Sequence, residues 1–305
     1  MTKVSVIGAG NVGATLGMRI AEADLADVVM VDIAEGVCQG KAMDLTDAAP
    51  IAGHNRRITG AADYKNIGGS GIVVITAGFP RTPGMSREEL FLKNSSIVKE
   101  AVRNTKALCP EAVIIVVTNP LDAMTYLAYK ESGFPKNRVM GMAGVLDTSR
   151  FIALIAEEAR VRYKDVEAYV LGSHGDTMVP VLSRTRIKGR PIEKVMSAEK
   201  INELVARTKN RGAEIVNKLK SGSAYYAPSA STFAMVKAII KNTREVLCVS
   251  CVLGGEYGFR DVCIGVPAKL GKKGIEEIIE SPLTDKEKKE LENSVEVVKR
   301  TVRGE

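Results

Sequence analysis

Lys3-Val-Ser-Val-Ile-Gly-Ala-Gly-Asn-Val-Gly13 is the stretch that decides the fold. Lys3 to Ile7 is a short apolar run rich in β-branched residues, the pattern of a buried parallel strand. It runs directly into Gly8-Ala-Gly10-Asn-Val-Gly13, and from there Val12, Leu16 and Ile20 recur at helical spacing. In a strand–turn–helix of this kind Gly8 allows a sharp turn, Gly10 lets backbone approach a pyrophosphate, and Gly13 lets the helix pack close to the strand. The helix N-terminus offers free N–H groups and the positive end of its dipole to the phosphates. A second apolar run, Val28-Val-Met-Val31, delivers Asp32, about 24 residues after Gly8 and near the spacing at which an acid meets the adenosine ribose. A carboxylate there accepts from the ribose 2′-OH and repels a 2′-phosphate. The pattern therefore implies NAD as the cofactor, not NADP.

Working outward, residues 1–144 alternate strand and helix, which predicts a doubly wound parallel sheet. Helices are expected over 35–48 and from a capping box at Ser86 and Glu89 to about Ala107. Further strands are expected at 57–60, 72–77, 112–118 and 139–142. Their C-terminal ends should converge on the crevice where such sheets bind ligands. Between Gly78 and Arg87 lies Phe79-Pro-Arg-Thr-Pro-Gly-Met-Ser-Arg87, a loop poor at packing and suited to moving as a lid. Residues 145–305 change character: helices over 147–161, 198–220, 229–241 and 284–302, a strand over 169–172, a strand-like run over 178–187, and antiparallel strands over 246–253 and 261–267. The chain thus reads as an α/β Rossmann domain, 1–144, followed by an α+β substrate domain, 145–305.

Composition narrows the function. The 305 residues are 45% hydrophobic and 26% charged, as in ordinary globular proteins. No apolar run reaches the ~18 residues of a membrane span. Met1 leads straight into a strand with no signal peptide, so the expected compartment is the cytoplasm. The net charge of +7 is dispersed and aromatics are only 5%, which argues against nucleic acid. The five cysteines fit neither a disulfide framework nor a metal site, so no metal is expected.

Of the two histidines, His54 sits in a polar connection and is expected to be exposed, whereas His174 stands in Gly172-Ser-His-Gly-Asp176 at a strand end. The adjacent small residues leave its imidazole accessible, and an imidazole is the natural proton carrier near neutral pH. Asp147 and Arg150, three apart at an expected helix start, project from one side of the first turn.

Taken together, GAGNVG with Asp32, PRTPGMSR, TNPLD, LDTSR and GSHGDTMVP resemble the lactate/malate dehydrogenase family over essentially the whole chain, and within it the tetrameric malate dehydrogenases of the lactate dehydrogenase type. The resemblance implies reversible, NAD-dependent conversion of (S)-malate to oxaloacetate, as in the tricarboxylic acid cycle. His174 matches the acid/base and Asp147 the carboxylate that holds its tautomer. Arg150 matches the grip on the C1 carboxylate, Arg87 the loop arginine that polarises the carbonyl, and Asn119 the amide that orients substrate. Thr76, Ala77, Gly78, Asn94, Val117 and Asn119 join Gly8, Gly10, Asn11, Val12, Gly13 and Asp32 as implied cofactor contacts.

Arg81 carries the substrate assignment. Pyruvate-reducing relatives typically have glutamine there, whereas arginine pairs with a second carboxylate. Ala224 likewise stands where lactate-specific relatives carry threonine, leaving room for the longer acid. A lactate or broad 2-hydroxy-acid dehydrogenase is the alternative, and a catalytically silent NAD sensor conflicts with the intact His174, Asp147 and Arg150. The resemblance also implies a homo-oligomer, a tetramer before a dimer.

Overall fold

The computed structural model describes residues 3–80 and 85–303, and of Arg87 the backbone alone. Strands β1 (Lys3–Ile7), β2 (Asp27–Val31), β3 (Ile58–Ala61), β4 (Ile72–Ile75), β5 (Val113–Val116) and β6 (Val139–Gly141) lie parallel in the spatial order 3-2-1-4-5-6. Helices α1 (Asn11–Glu22), α2 (Glu35–Ala52), α3 (Arg87–Leu108) and α4 (Leu121–Ser132) connect them. The central strands are covered on both faces: every residue of Ile72–Ile75 has no exposed surface. That is why they read as unbroken apolar runs and not as alternating ones. Each such side chain contributes about 1.5–3 kcal/mol of burial.

The register matters for the site. Ile7 pairs with Val31 on one side and Ile75 on the other, and Ile75 pairs with Val116. Four strand ends therefore stop level, and the residues that follow them, Gly8, Asp32, Thr76 and Val117, line one edge of the sheet. This is the edge at which ligands bind in open parallel sheets.

The second half begins with α5 (Gly144–Ala159) and the short strands β7 (Val166–Glu167), β8 (Val170–Leu171), β9 (Val179–Pro180), β10 (Arg186–Ile187) and β11 (Arg190–Pro191). Helices α6 (Ala198–Leu219) and α7 (Tyr226–Lys241) follow, then β12 (Val246–Gly254), β13 (Arg260–Gly271), β14 (Gly274–Ile278) and α8 (Asp285–Arg303). The antiparallel strands do not form a separate sheet. β12 pairs antiparallel with β6, Ser250 opposite Gly141, so β12–β14 extend the parallel sheet to nine strands.

Four local expectations are corrected. Helix α5 starts at Gly144 and not at Asp147, placing Asp147 in the fourth helical position instead of at the cap. Residues 178–187 are not one strand: β9 pairs with β8, a 3₁₀ turn intervenes at Leu182–Arg184, and β10 pairs with β7 and β11. Helix α7 begins at Tyr226, three residues early, because Pro228 is tolerated in a first helical turn. His54 is buried, its Nδ1 accepting the Arg56 N–H at 3.2 Å, so the polar sequence around it hid a packed side chain.

Candidate active site

The turn after β1 is built by exclusion. Gly8 has φ +101°, and a Cβ there would stand 2.6 Å from the Ala77 nitrogen. A Cβ on Gly13 would fall on the Gly8 carbonyl oxygen. Both positions therefore require glycine, one for its conformation and the other for close approach. Gly10 by contrast faces open space, with nothing within 4 Å of where its Cβ would be. Thr76 donates its hydroxyl to the Gly8 carbonyl at 2.8 Å. Asn11 and Val12 open α1 directly after Gly10, so their N–H groups have no helical acceptor of their own. An uncovered backbone at a helix N-terminus beside Asp32 fits a dinucleotide diphosphate. Asp32 itself is held by backbone, accepting the Ala9 N–H at 2.7 Å and the Ala34 N–H at 3.0 Å.

The loops after β4 and β5 are tied together by Asn94, fully buried on α3. Its Oδ1 accepts the Phe79 N–H at 2.8 Å, and its Nδ2 donates to the Asn119 carbonyl at 2.7 Å. Its amide thus joins two of the expected cofactor segments, Ala77-Gly78 and Val117–Asn119. The Asn119–Pro120 peptide is cis.

His174 follows β8. Its Nδ1 lies 2.9 and 3.0 Å from the two oxygens of Asp147, which is buried on α5. Burial of the imidazole disfavours its charge, but the Asp147 carboxylate outweighs this and the His174 pKa stands above its ordinary value. With Nδ1–H given to Asp147, the Nε2 face is left for a substrate. Arg150 sits one turn further along α5, its Nη1 3.9 Å from Asp147 Oδ1. That is an ion pair too long for a hydrogen bond. Among the described residues the Arg150 guanidinium has no hydrogen-bond partner, and its Nε is fully buried. Burial, countered by Asp147 and aided by Arg211, lowers its pKa. A desolvated, under-bonded fork of this kind is built for an anion.

The sequence reading missed what holds His174 in place. Asp122, buried at the start of α4, accepts the His174 backbone N–H at 2.8 Å and the Ser250 hydroxyl at 2.6 Å. Burial raises its pKa to about 6, against the opposing pull of those two hydrogen bonds. Ser294 of α8 accepts the neighbouring Ser173 N–H at 2.7 Å. The only signal for Asp122 was its place in TNPLD. Ser294 lies in a charged helix and gave none.

The structure therefore brings His174, Asp147, Arg150 and the Asn119 loop together, the last through Asp122, three residues on. Arg81, Thr82, Pro83 and Gly84 lie outside the described residues. Arg87 opens α3, with Ser86 capping it through Glu89.

A family described as lactate/malate dehydrogenase, NAD binding domain, matches residues 2–141, and the alpha/beta C-terminal domain of the same family matches 144–304. The chain belongs to the lactate/malate dehydrogenase family. It is an NAD-dependent oxidoreductase, and the glycine turn and Asp32 lie within the matched NAD binding domain. Family relatives include a malate dehydrogenase of Chlorobium luteolum, 50% identical over 99% of this chain and 98% of that one. Another, from Trichormus variabilis, is 52% identical over 99% and 93%. Among solved structures of the family, Cryptosporidium parvum malate dehydrogenase superposes with a TM-score of 0.96 at 41% identity, covering 99% and 98% of the two chains. The lactate dehydrogenase of the same organism, complexed with lactic acid and nicotinamide adenine dinucleotide, gives 0.96 at 39%, covering 99% and 97%. Backbone shape is thus shared by both branches of the family, and discrimination between their substrates must lie in side chains.

Proposed function

We propose that this chain is an NAD-dependent malate dehydrogenase, interconverting (S)-malate and oxaloacetate. The observation that carries the reading is the buried, under-bonded Arg150 guanidinium on the same helix face as Asp147, whose carboxylate holds His174. A carboxylate site and a proton carrier side by side are what a 2-hydroxy acid requires. Bound NAD supplies the two-electron acceptor at its nicotinamide ring.

The chain's own groups do the rest. Arg150 grips the C1 carboxylate with its planar fork. His174 takes the hydroxyl proton at Nε2 during oxidation and returns it to the ketone oxygen during reduction. Asp147 fixes the Nδ1–H tautomer and stabilises the imidazolium. Asn119 orients the substrate, and Arg87 polarises the carbonyl when the Phe79–Arg87 segment closes as a lid. Arg81 pairs with the second carboxylate and Ala224 leaves it room, which favours the malate reading over the lactate one. The relatives at 50% and 52% identity, named for malate, support the same choice.

The same reading places the enzyme in the cytoplasm and the tricarboxylic acid cycle, as two domains divided at 144/145. Five buried, unpaired cysteines suit a reducing compartment. A homotetramer is favoured over a dimer. Val37, Met43 and Ile51 of α2 stand exposed, apolar surface of the kind a subunit contact covers. Steady-state oxidation of NADH by oxaloacetate tests the proposal: turnover is expected, with a fall in kcat/KM of at least about thirtyfold in Arg150→Leu. No turnover in the unaltered chain, or an undiminished variant, would overturn it.

A further inference from the structure

Helix α2 turns its inward stripe, Cys38, Lys41, Ala42 and Leu45, toward the sheet at i, i+3, i+4 and i+7 spacing. Cys38 and Ala42 are buried and Leu45 packs against the core. Lys41 is the charged member of that stripe, half-buried where the periodicity calls for an apolar residue. Its ammonium is not spent on a carboxylate. Lys41 Nζ donates to the Ala9 carbonyl oxygen at 2.7 Å, and it forms no ion pair among the described residues. The N–H of the same Ala9 is taken by Asp32 Oδ2 at 2.7 Å. Ala9, between the first two glycines of the phosphate-binding turn, is thus gripped by a cation at its carbonyl and by an anion at its amide.

The consequence follows from peptide geometry. The Ala9 carbonyl and the Gly10 N–H belong to one planar trans unit and point in opposite directions. Holding the carbonyl with Lys41 fixes where the Gly10 N–H points, at the position whose surroundings are open. The fixed positive charge also lies beside the turn, where it offsets the Asp32 carboxylate against an incoming diphosphate. The Lys41 stem lies along this stripe, as lysine stems commonly do on apolar surface, and delivers its ammonium to the Ala9 carbonyl.

We propose that Lys41 is a positioning residue for the cofactor, locking the Ala9–Gly10 peptide and supplying the positive charge of the diphosphate-binding turn. This deepens the NAD assignment and does not depend on which acid is reduced. The test is therefore titration of the full chain with NADH alone, followed by cofactor fluorescence, in Lys41→Met and Lys41→Arg. The expected result is a Kd for NADH raised about tenfold in the Met variant, the order of one charge-assisted hydrogen bond. The Arg variant should return to within about threefold of the unaltered chain, since it restores charge and donor. In steady state the loss should sit in the KM for NADH and not in kcat. Thermal denaturation without cofactor separates this role from a packing role, because Met fills the stripe and should leave the melting temperature unchanged or higher. A Met variant within twofold of the original Kd would overturn the proposal. So would a weakened Kd that Arg fails to restore, or one that appears only with a lowered melting temperature.

Discussion

Nδ1 of His174 lies 2.9 Å from Oδ2 of Asp147, and that carboxylate has almost no exposed surface. The imidazolium is therefore stabilised by a charge that water does not screen, and the His174 pKa is raised from near 6.5. In the proposed mechanism reduction needs the protonated His174 ring and oxidation the neutral one. Efficiency with oxaloacetate should be flat at low pH and fall as pH rises through the raised value, while efficiency with malate should rise over the same window. His174→Asn should lose about 10²–10⁴-fold in turnover with NADH binding intact. Paired pH profiles of kcat/KM check both statements. A variant keeping more than about a tenth of the activity would remove His174 from proton transfer.

Asp122 makes a separate, stability-based prediction. Its folded pKa, about 6, lies above the ordinary 3.8, so the folded chain binds its proton more tightly than the unfolded one does. This contribution to stability is fully present below about pH 4 and is lost as pH rises through 6. At 1.36 kcal/mol per unit the loss is about 3 kcal/mol. In Asp122→Asn the amide oxygen can still accept the His174 N–H, and the amide nitrogen can donate to Ser250. Denaturant unfolding at pH 4.5 and pH 8, at one protein concentration, should show the variant gaining about 2–3 kcal/mol relative to the unaltered chain across that interval. A difference independent of pH would contradict an ionisable Asp122.

In the proposed function Asp32 selects the cofactor: its carboxylate is held by two backbone N–H groups, which keeps it facing a 2′-phosphate. Efficiency with NADH should exceed that with NADPH by roughly a hundredfold, a few kcal/mol of repulsion and lost hydrogen bonding. Equal efficiency with the two cofactors would refute the assignment.

The fold was legible where one physical signal dominated. The strands Ile72–Ile75 and Val113–Val116 are buried on both faces, and their apolar runs announced it. The capping box at Ser86 and Glu89 is present as read, with hydrogen bonds of 3.0 and 2.8 Å. What stayed hidden depends on partners far away in sequence. Asp122 meets Ser250 across 128 residues, and Ser173 meets Ser294 across 121. His54 is buried by tertiary packing that its polar neighbours do not reveal. Lys41 escaped notice because its acceptor is a backbone carbonyl, which carries no mark in a sequence.

In the proposed function Arg81 is the residue that selects the substrate. Oxaloacetate has a second carboxylate and pyruvate has none, and in a closed site that group needs a cation. Removing one member of a desolvated charge pair costs ~2–5 kcal/mol, or roughly 30- to 5,000-fold. Arg81→Gln should lower efficiency with oxaloacetate by that order. It should also raise efficiency with pyruvate, which otherwise leaves the arginine enclosed and unpaired. Oxaloacetate efficiency within a few-fold of the original, with no gain on pyruvate, would show that Arg81 is not the selector.

The central claim is that the site takes a four-carbon dicarboxylate, although the backbone superposes equally well on a malate and a lactate dehydrogenase. The most direct measurement is kcat/KM of the unaltered chain with oxaloacetate and with pyruvate, at saturating NADH and one pH. The account predicts a preference for oxaloacetate of at least about thirtyfold, the lower bound for a buried charge pair. Equal efficiency, or a preference for pyruvate, would contradict it.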